Sequence, residues 1–503
     1  MKNLFDPDSA TRLSGDLALR AYTSRLLGGE HALVMHGGGN TSVKVREGGE
    51  EILYVKGSGA DLGQVGAADF APVRLAEVRR LIELDALEND RLVAAFCAAL
   101  KNPAAPRPSI ETLLHAVLPF PWVEHTHADA VLAVADTVDG EAHVREAFGS
   151  AVVIVPYRHS GFDLAKACHE VFTRHATPET IGMVLMHHGL FAFGHSARES
   201  YGNMIGLVSR AEEYLKERQA WDIPLDFGKG GGSREISGGA SSLELAALRR
   251  DISLAAGASL VLGAFTDPFS LAFARRPDLP SLACRGPATP HHAVFAKRLP
   301  LLGRDVAGYA RDYRRYIAEH APADARWLPD PAPRLVLDPR WGLCAAGVNA
   351  HYAQVAAEIA QHAMRIQSRA EALGGYLSLP ARDVLAAEIE YGGFEDKVRR
   401  GQPLAGQVVL AAGAVARRGE LAALLEAGAA VVGLDDDAAV ESLFQAPGFL
   451  GIRCLSGERK TLEPAVERGI RRFGGIDRLA GGAAALRDIC QPFLALSPFP
   501  STS

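Results

Sequence analysis

The 503-residue sequence is short of several features that would assign it quickly. Basic residues are not in excess: 53 Lys and Arg stand against 59 Asp and Glu, and the net charge of -6 argues against a nucleic-acid-binding surface. No apolar run is long enough to cross a bilayer, and the polar start Met1-Lys2-Asn3-Leu4-Phe5-Asp6-Pro7-Asp8 lacks the apolar segment of a signal peptide. No membrane partner is therefore expected. Cysteine is sparse, with Cys97, Cys168, Cys284, Cys344, Cys454 and Cys490 scattered and no Cys-x-x-Cys. That pattern fits free thiols in a reducing compartment, so the expected location is the cytoplasm. Internal repeats are absent, and so is the Gly-Lys-Ser/Thr of a P-loop. What remains is 48% hydrophobic and 22% charged, ordinary for a soluble chain of two to four domains.

What the sequence does have is histidine in company. His125-Thr126-His127 reads as strand, and side chains alternate with period two, so both imidazoles share a face and can hold one transition metal. Two half-buried histidines would look the same. Two neighbouring pieces tip the balance: Ser109-Ile110-Glu111-Thr112-Leu113-Leu114-His115 upstream and Met186-His187-His188-Gly189-Leu190 downstream. Five of the 17 histidines lie in these three pieces. Only one of the adjacent His187 and His188 can share the face of the first pair, and strand logic does not choose between them. Ser109, after a proline-rich stretch, reads as a helix N-cap; Glu111 then falls in the first turn, with His115 four residues on along the same face. A dipole-complementing acid and a core histidine would give the same pattern.

Two glycine turns precede these motifs. His36-Gly37-Gly38-Gly39-Asn40-Thr41-Ser42 can turn backbone amides toward an anion, although a hairpin turn would need the same glycines. After a strand at 52–56, Lys56-Gly57-Ser58-Gly59 offers amides, a hydroxyl and an ammonium to a phosphate. Helices are expected at 11–27, within about 72–101 and at 197–219. The chain divides into 1–227, a Gly/Ser-rich linker at 228–241, a middle α/β region at 242–402, and 403–503. The middle region contains His291 and His292 in an apparent loop, where histidines are more often solvated than functional. The last segment reads strand 408–413, helix 419–427, strand 429–435, a βαβ unit of dinucleotide-binding type. Its glycine turn is interrupted by Arg417 and Arg418.

Residues 1–220 resemble the class II aldolase/adducin family, and most of all the aldolase half of the bifunctional rhamnulose-1-phosphate aldolase/short-chain dehydrogenase proteins. The resemblance rests on Gly37-Gly38-Gly39-Asn40-Thr41-Ser42, Val55-Lys56-Gly57-Ser58-Gly59-Ala60-Asp61-Leu62, Arg107-Pro108-Ser109-Ile110-Glu111-Thr112-Leu113-Leu114-His115, His125-Thr126-His127 with Asp129, and His188-Gly189-Leu190. It implies an α/β/α sandwich around a mostly antiparallel sheet, joined here to the middle α/β region and a partial Rossmann-like domain, in a homo-oligomer, commonly a tetramer. It also implies that His125, His127 and His188 bind a divalent metal, most often Zn²⁺, with Mn²⁺, Co²⁺ or Fe²⁺ as alternatives. Glu111 becomes the catalytic acid/base, and Asn40, Ser58, Gly59 and Ser109 hold the phosphate and enediolate of dihydroxyacetone phosphate, beside the Lys56 ammonium read above as part of a phosphate grip.

The implied reaction is reversible retro-aldol cleavage of a rhamnulose-1-phosphate-like sugar to dihydroxyacetone phosphate and an aldehyde such as L-lactaldehyde. A sugar-phosphate epimerase of the same fold, or a non-catalytic adducin-like scaffold, are the alternatives. The last hundred residues resemble a decayed short-chain dehydrogenase. Gly482 stands where that family has asparagine, and the sequence reaches Ser503 without a Tyr-x-x-x-Lys pair. No NAD(P) cofactor and no dehydrogenase activity are expected of it.

Overall fold

The computed structural model describes residues 1–224, 239–455 and 458–499, in two compact units: Met1–Ile223 with His362–Leu379, and Pro224–Gln361 with Pro380–Ser503. The linker expected at 228–241 lies outside the described residues up to 238, and helix Gly239–Ala256 begins within its last three positions.

The first unit is built on seven strands: β1 (Asn40–Glu47), β2 (Glu50–Lys56), β3 (Phe70–Arg74), β4 (Trp122–Thr126), β5 (Val152–Val155), β6 (Gly182–Leu185) and β7 (Gly189–Gly194). They lie in the order β3-β2-β1-β4-β7-β6-β5, antiparallel throughout except for β5 beside β6. Gly48 and Gly49, at φ 59° and 87°, close the β1–β2 hairpin, because a two-residue turn matching the strand twist needs positive φ at both positions. Alternation along β4 separates the two faces of the sheet. Val123 joins Leu53, Val55, Phe191 and Phe193 against helices Thr112–Val117 and Phe162–His175. Each fully buried Leu or Phe there stabilises the fold by about 1.5–3 kcal/mol.

Glu124 points to the other face, where it meets Arg20 of helix Asp16–Gly28 at 2.6 Å and Ser200 of helix Ala197–Glu217 at 2.8 Å. Both charges are fully buried, and removing one of such a pair costs about 3–5 kcal/mol. Helices on both faces of a mostly antiparallel sheet make the expected sandwich. Two local expectations change. The helix over 11–27 is two, Pro7–Thr11 and Asp16–Gly28, separated at Gly15 with φ 83°. The start of the helical stretch from 72 belongs to β3, at the sheet edge, where Pro72 interrupts no central ladder.

The second unit holds two four-stranded sheets. β8 (Val261–Phe265), β9 (Leu301–Leu302), β10 (Leu335–Asp338) and β11 (Gly342–Gly347) run in the order β8-β11-β10-β9, with only β9 and β10 parallel. β12 (Val408–Ala412), β13 (Ala430–Asp435), β14 (Phe449–Arg453) and β15 (Arg478–Ala480) are all parallel, in the order β14-β13-β12-β15. That is the 3-2-1-4 start of a doubly wound fold, with helix Arg418–Glu426 between its first two strands, as expected from the sequence. The division at 402/403 is not a break in packing. Leu260, Leu262 and Ala346 share one core with Val408, Val432, Ile470 and Phe473, and buried Arg249 meets Asp477 at 2.5 Å. Among the described residues no helix is long and apolar enough to cross a membrane.

Candidate metal centre

β4 and β7 carry the site between them. Their register places His125 opposite Phe191 and Thr126 opposite Leu190, so the turn before β7 delivers His188 beside the His125 strand. Gly189 is required there: a Cβ would fall 2.3 Å from the Thr126 carbonyl oxygen. His125, His127 and His188 each offer a ligand atom, and these atoms lie within 4.8 Å of one another. His187 turns the other way. At φ 57° its Nδ1 lies 3.1 Å from the buried Asp136 carboxylate, which resolves the choice that strand periodicity leaves open.

The donor set suits a metal. His125 Nδ1 donates to the Leu190 carbonyl at 3.1 Å, which fixes the tautomer and leaves Nε2 as a bare acceptor. That Nε2 is buried with no hydrogen-bond partner among the described residues, as fits a metal-ligand atom. Burial, against the pull of Glu111, lowers the His125 pKa to about 4, so the imidazole is neutral at neutral pH, as ligation needs. Three neutral nitrogens leave a bound ion its full charge and an open position for substrate.

Glu111 completes the cluster. Its Oε1 lies 3.0 Å from His188 Nε2 and its Oε2 3.5 Å from His125 Nε2. Burial works to raise this carboxyl, while the hydrogen bonds from His188 and the Asn40 amide pull the other way and hold the group below the usual carboxylate range. Asn40 is itself held. Its Nδ2 donates to Glu111 Oε2 at 2.6 Å and lies 3.2 Å from Ser109 Oγ, while its Oδ1 pairs with His115 Nε2. His115 Nδ1 meets the Ser42 hydroxyl at 2.8 Å, and burial pushes this imidazole down to about 3. A neutral His115 donating from Nε2 leaves Asn40 only one amide orientation, with its N–H groups on Glu111. The sequence shows His115 four residues after Glu111 but not this contact, because Asn40 arrives from β1.

Other expected site residues are placed as follows. Ser109 is not the N-cap of the helix: Thr112–Val117 starts one residue after Glu111, and Ser109 Oγ instead accepts the Glu111 N–H at 3.3 Å. The two glycine turns lie together, since a Cβ on Gly37 would come 3.2 Å from the Gly59 carbonyl oxygen. Ser58 and Gly59 are exposed on that loop. Lys56 is buried, and its ammonium donates to the carbonyls of Gly37 at 3.0 Å and Ala60 at 2.6 Å. It ties the turns together, which leaves one N–H for any ligand. Asp129 is buried two residues after His127 and takes a 2.6 Å hydrogen bond from His362 Nδ1, a partner no local motif announces. His291 and His292 lie on helix Pro290–Ala296 rather than in a loop, and His292 is buried.

Residues 18–215 match the family described as class II aldolase and adducin N-terminal domain, and residues 240–398 match aldolase class II, second domain. The chain is 28% identical over 429 residues to the uncharacterized oxidoreductase YuxG of Bacillus subtilis; the match covers 78% of this chain and 60% of that protein. It is similar to the N-terminal class II aldolase domain of a conserved protein from Thermoplasma acidophilum, at 36% identity and TM-score 0.40, over 43% of this chain and 99% of that one. A lower likeness links it to L-fuculose-1-phosphate aldolase from Thermus thermophilus, at 19% identity and TM-score 0.28, over 40% of this chain and 94% of that one.

Proposed function

The chain belongs to the class II aldolase/adducin family, and from that premise we propose that it is a divalent-metal-dependent aldolase cleaving a short ketose 1-phosphate. The observation that carries this reading is the Glu111 carboxyl group set between two of three converging imidazoles and clamped by Asn40. His125, His127 and His188 would hold a divalent ion, most often Zn²⁺, which would supply Lewis acidity to the sugar's ketone end.

The chain's own groups do the rest. Retro-aldol cleavage breaks the C3–C4 bond: the Glu111 carboxylate takes the proton of the C4 hydroxyl, C4 leaves as an aldehyde, and the electron pair remains at C3. Glu111 then returns that proton to C3 and completes dihydroxyacetone phosphate; the synthetic direction runs the same proton backwards. Asn40 keeps the Glu111 carboxylate aimed. Ser58, Gly59, Ser109 and Asn40 bind the phosphate, and Lys56 acts by holding the two turns in register. Anchoring the remote phosphate fixes the reacting carbons in place.

A rhamnulose-1-phosphate-like sugar, yielding L-lactaldehyde, is the substrate we favour, in a cytoplasmic homo-oligomer. The test is a product screen over rhamnulose, fuculose and ribulose phosphates with metal-loaded enzyme. Free aldehyde from at least one of them supports the assignment, and an epimeric ketose phosphate without aldehyde would move it to an epimerase.

The parallel sheet of the second unit favours a second reading, a dinucleotide site, but its polar groups are already engaged. Asp435 accepts the Val415 and Asp437 amides at 2.8 and 3.1 Å, and Arg417 pairs with Glu420 at 2.9 Å across the turn. We therefore assign residues 403–503 no hydride transfer. Calorimetry with NAD⁺ and NADP⁺ checks this; micromolar binding with cofactor reduction by L-lactaldehyde would reverse it.

A further inference from the structure

Apart from the histidine site, the second unit has a cavity of about 720 Å³ along helix Val306–His320, a volume typical of sites for small metabolites. Tyr309, Tyr313 and Tyr316 recur on one face of that helix and line the cavity. Tyr309 stacks on Tyr313 at 5.8 Å, and Tyr313 meets Tyr316 edge-on at 5.4 Å. Arg298 lines the same space, half-buried, with its guanidinium 5.1 Å over the Tyr316 ring. Its Nε is buried and has no hydrogen-bond partner among the described residues. Arginine cations placed this way are usually matched by a carboxylate. Here the guanidinium forms no ion pair among the described residues.

The backbone is bent to put it there. Arg298 follows Lys297, which ends helix Pro290–Ala296 at φ 60°, a conformation uncommon outside glycine and kept only where the surroundings enforce it. Lys297 is enforced by Asp330 at 3.1 Å and by the Tyr313 ring 4.5 Å from its ammonium. Behind the tyrosines, Glu388 accepts the Tyr313 hydroxyl, and burial pushes its carboxyl up to about 7. Near neutral pH this acid is therefore only partly charged.

We propose that this cavity binds a small organic anion, its carboxylate or phosphate held by the Arg298 guanidinium and its body packed on the three tyrosines. The planar fork of arginine matches either oxyanion, and tyrosine rings cover a planar or sugar-like body. This site is separate from the aldolase reading and does not depend on it.

The test is titration calorimetry of the full chain with inorganic phosphate, glycerol 3-phosphate and benzoate, on wild type, Arg298→Gln and Arg314→Gln. Arg314 is exposed on the same helix and is absent from the cavity lining, so it serves as control. At least one probe should show saturable binding that weakens about tenfold or more in Arg298→Gln, the worth of a charge-assisted contact, and is unchanged in Arg314→Gln. The phosphate and benzoate arms tell which headgroup the site takes. If Arg298→Gln fails to fold, Arg298→Lys, which keeps the charge and loses the fork, gives the same reading. Phosphate binding in the first unit persists in every variant. Finding no binding event that depends on Arg298, including no binding at all, would overturn the proposal.

Discussion

Two glutamates, one in each unit, are almost equally withdrawn from water, at 5% and 3% exposed, and their carboxyl pKa values move in opposite directions. Around Glu111 stand ring nitrogens and the Asn40 amide, and the carboxyl is held below the usual carboxylate range against the cost of burial. Around Glu388 stand the hydroxyls of Tyr313 and Tyr316, and burial raises the carboxyl to about 7. Depth does not decide what a buried acid does; the donors that reach it decide. In the proposed reaction the first glutamate exchanges a proton next to a bound ion. The second is part of a packed cluster with Lys297, Asp330 and Arg334.

The strongest way to break this contrast is to remove the ion from Glu111's surroundings. His127→Ala should lower metal affinity by more than about 100-fold, beyond what loss of a mere outer partner costs, and mass spectrometry of the native protein would read the loss. Full metal content in that variant would remove His127 from the ligand set. Next, Glu111→Gln should keep fold and metal while lowering aldehyde release about 10²- to 10⁴-fold, whereas Glu388→Gln should leave turnover near wild type. Equal losses in both would erase the distinction.

A smaller effect is expected from the residue behind Asn40. His115→Leu should reduce kcat about 5- to 100-fold with metal content unchanged, and His115→Gln, which retains an N–H donor, should recover part of it. Steady-state kinetics on the two variants separates aiming of Asn40 from loss of packing.

The smallest effect concerns pH. The Glu388 pKa is raised on folding from an ordinary 4.5 to about 7, so its stabilising contribution is complete below pH 4.5 and is lost as the pH rises through 7. Across that window wild type should lose at most about 1.4 kcal/mol per pH unit relative to Glu388→Gln in urea melts. Parallel curves for the two proteins would show that Glu388 is ionised throughout.

How much of this was legible in the sequence follows from where the partners lie. His125 and His127 are readable because strand alternation puts near neighbours on one face, and the strand–helix–strand of 408–435 because it is local. Strand periodicity leaves His187 and His188 open and the family resemblance names His188; the physical reason, left-handed backbone at His187 and a carboxylate from the end of another helix, is seen only in the structure. Lys56 read as a phosphate ligand because its motif is local, but the carbonyl oxygen of Gly37 comes from a separate turn. The 402/403 division is read from a change of texture, while the core that Leu260 and Val432 share across it is visible only in three dimensions. Arg298 and Glu388 carry no motif at all.

If three histidines hold a divalent ion that works together with Glu111, chelation abolishes the reaction. Wild-type protein is stripped of metal and then given back Zn²⁺, Mn²⁺, Co²⁺ or Fe²⁺, with aldehyde release from the ketose 1-phosphates followed at each step. Cleavage should disappear on stripping, return at about one ion per chain, and fail to return in His127→Ala. Cleavage that survives complete removal of metal would contradict this reading.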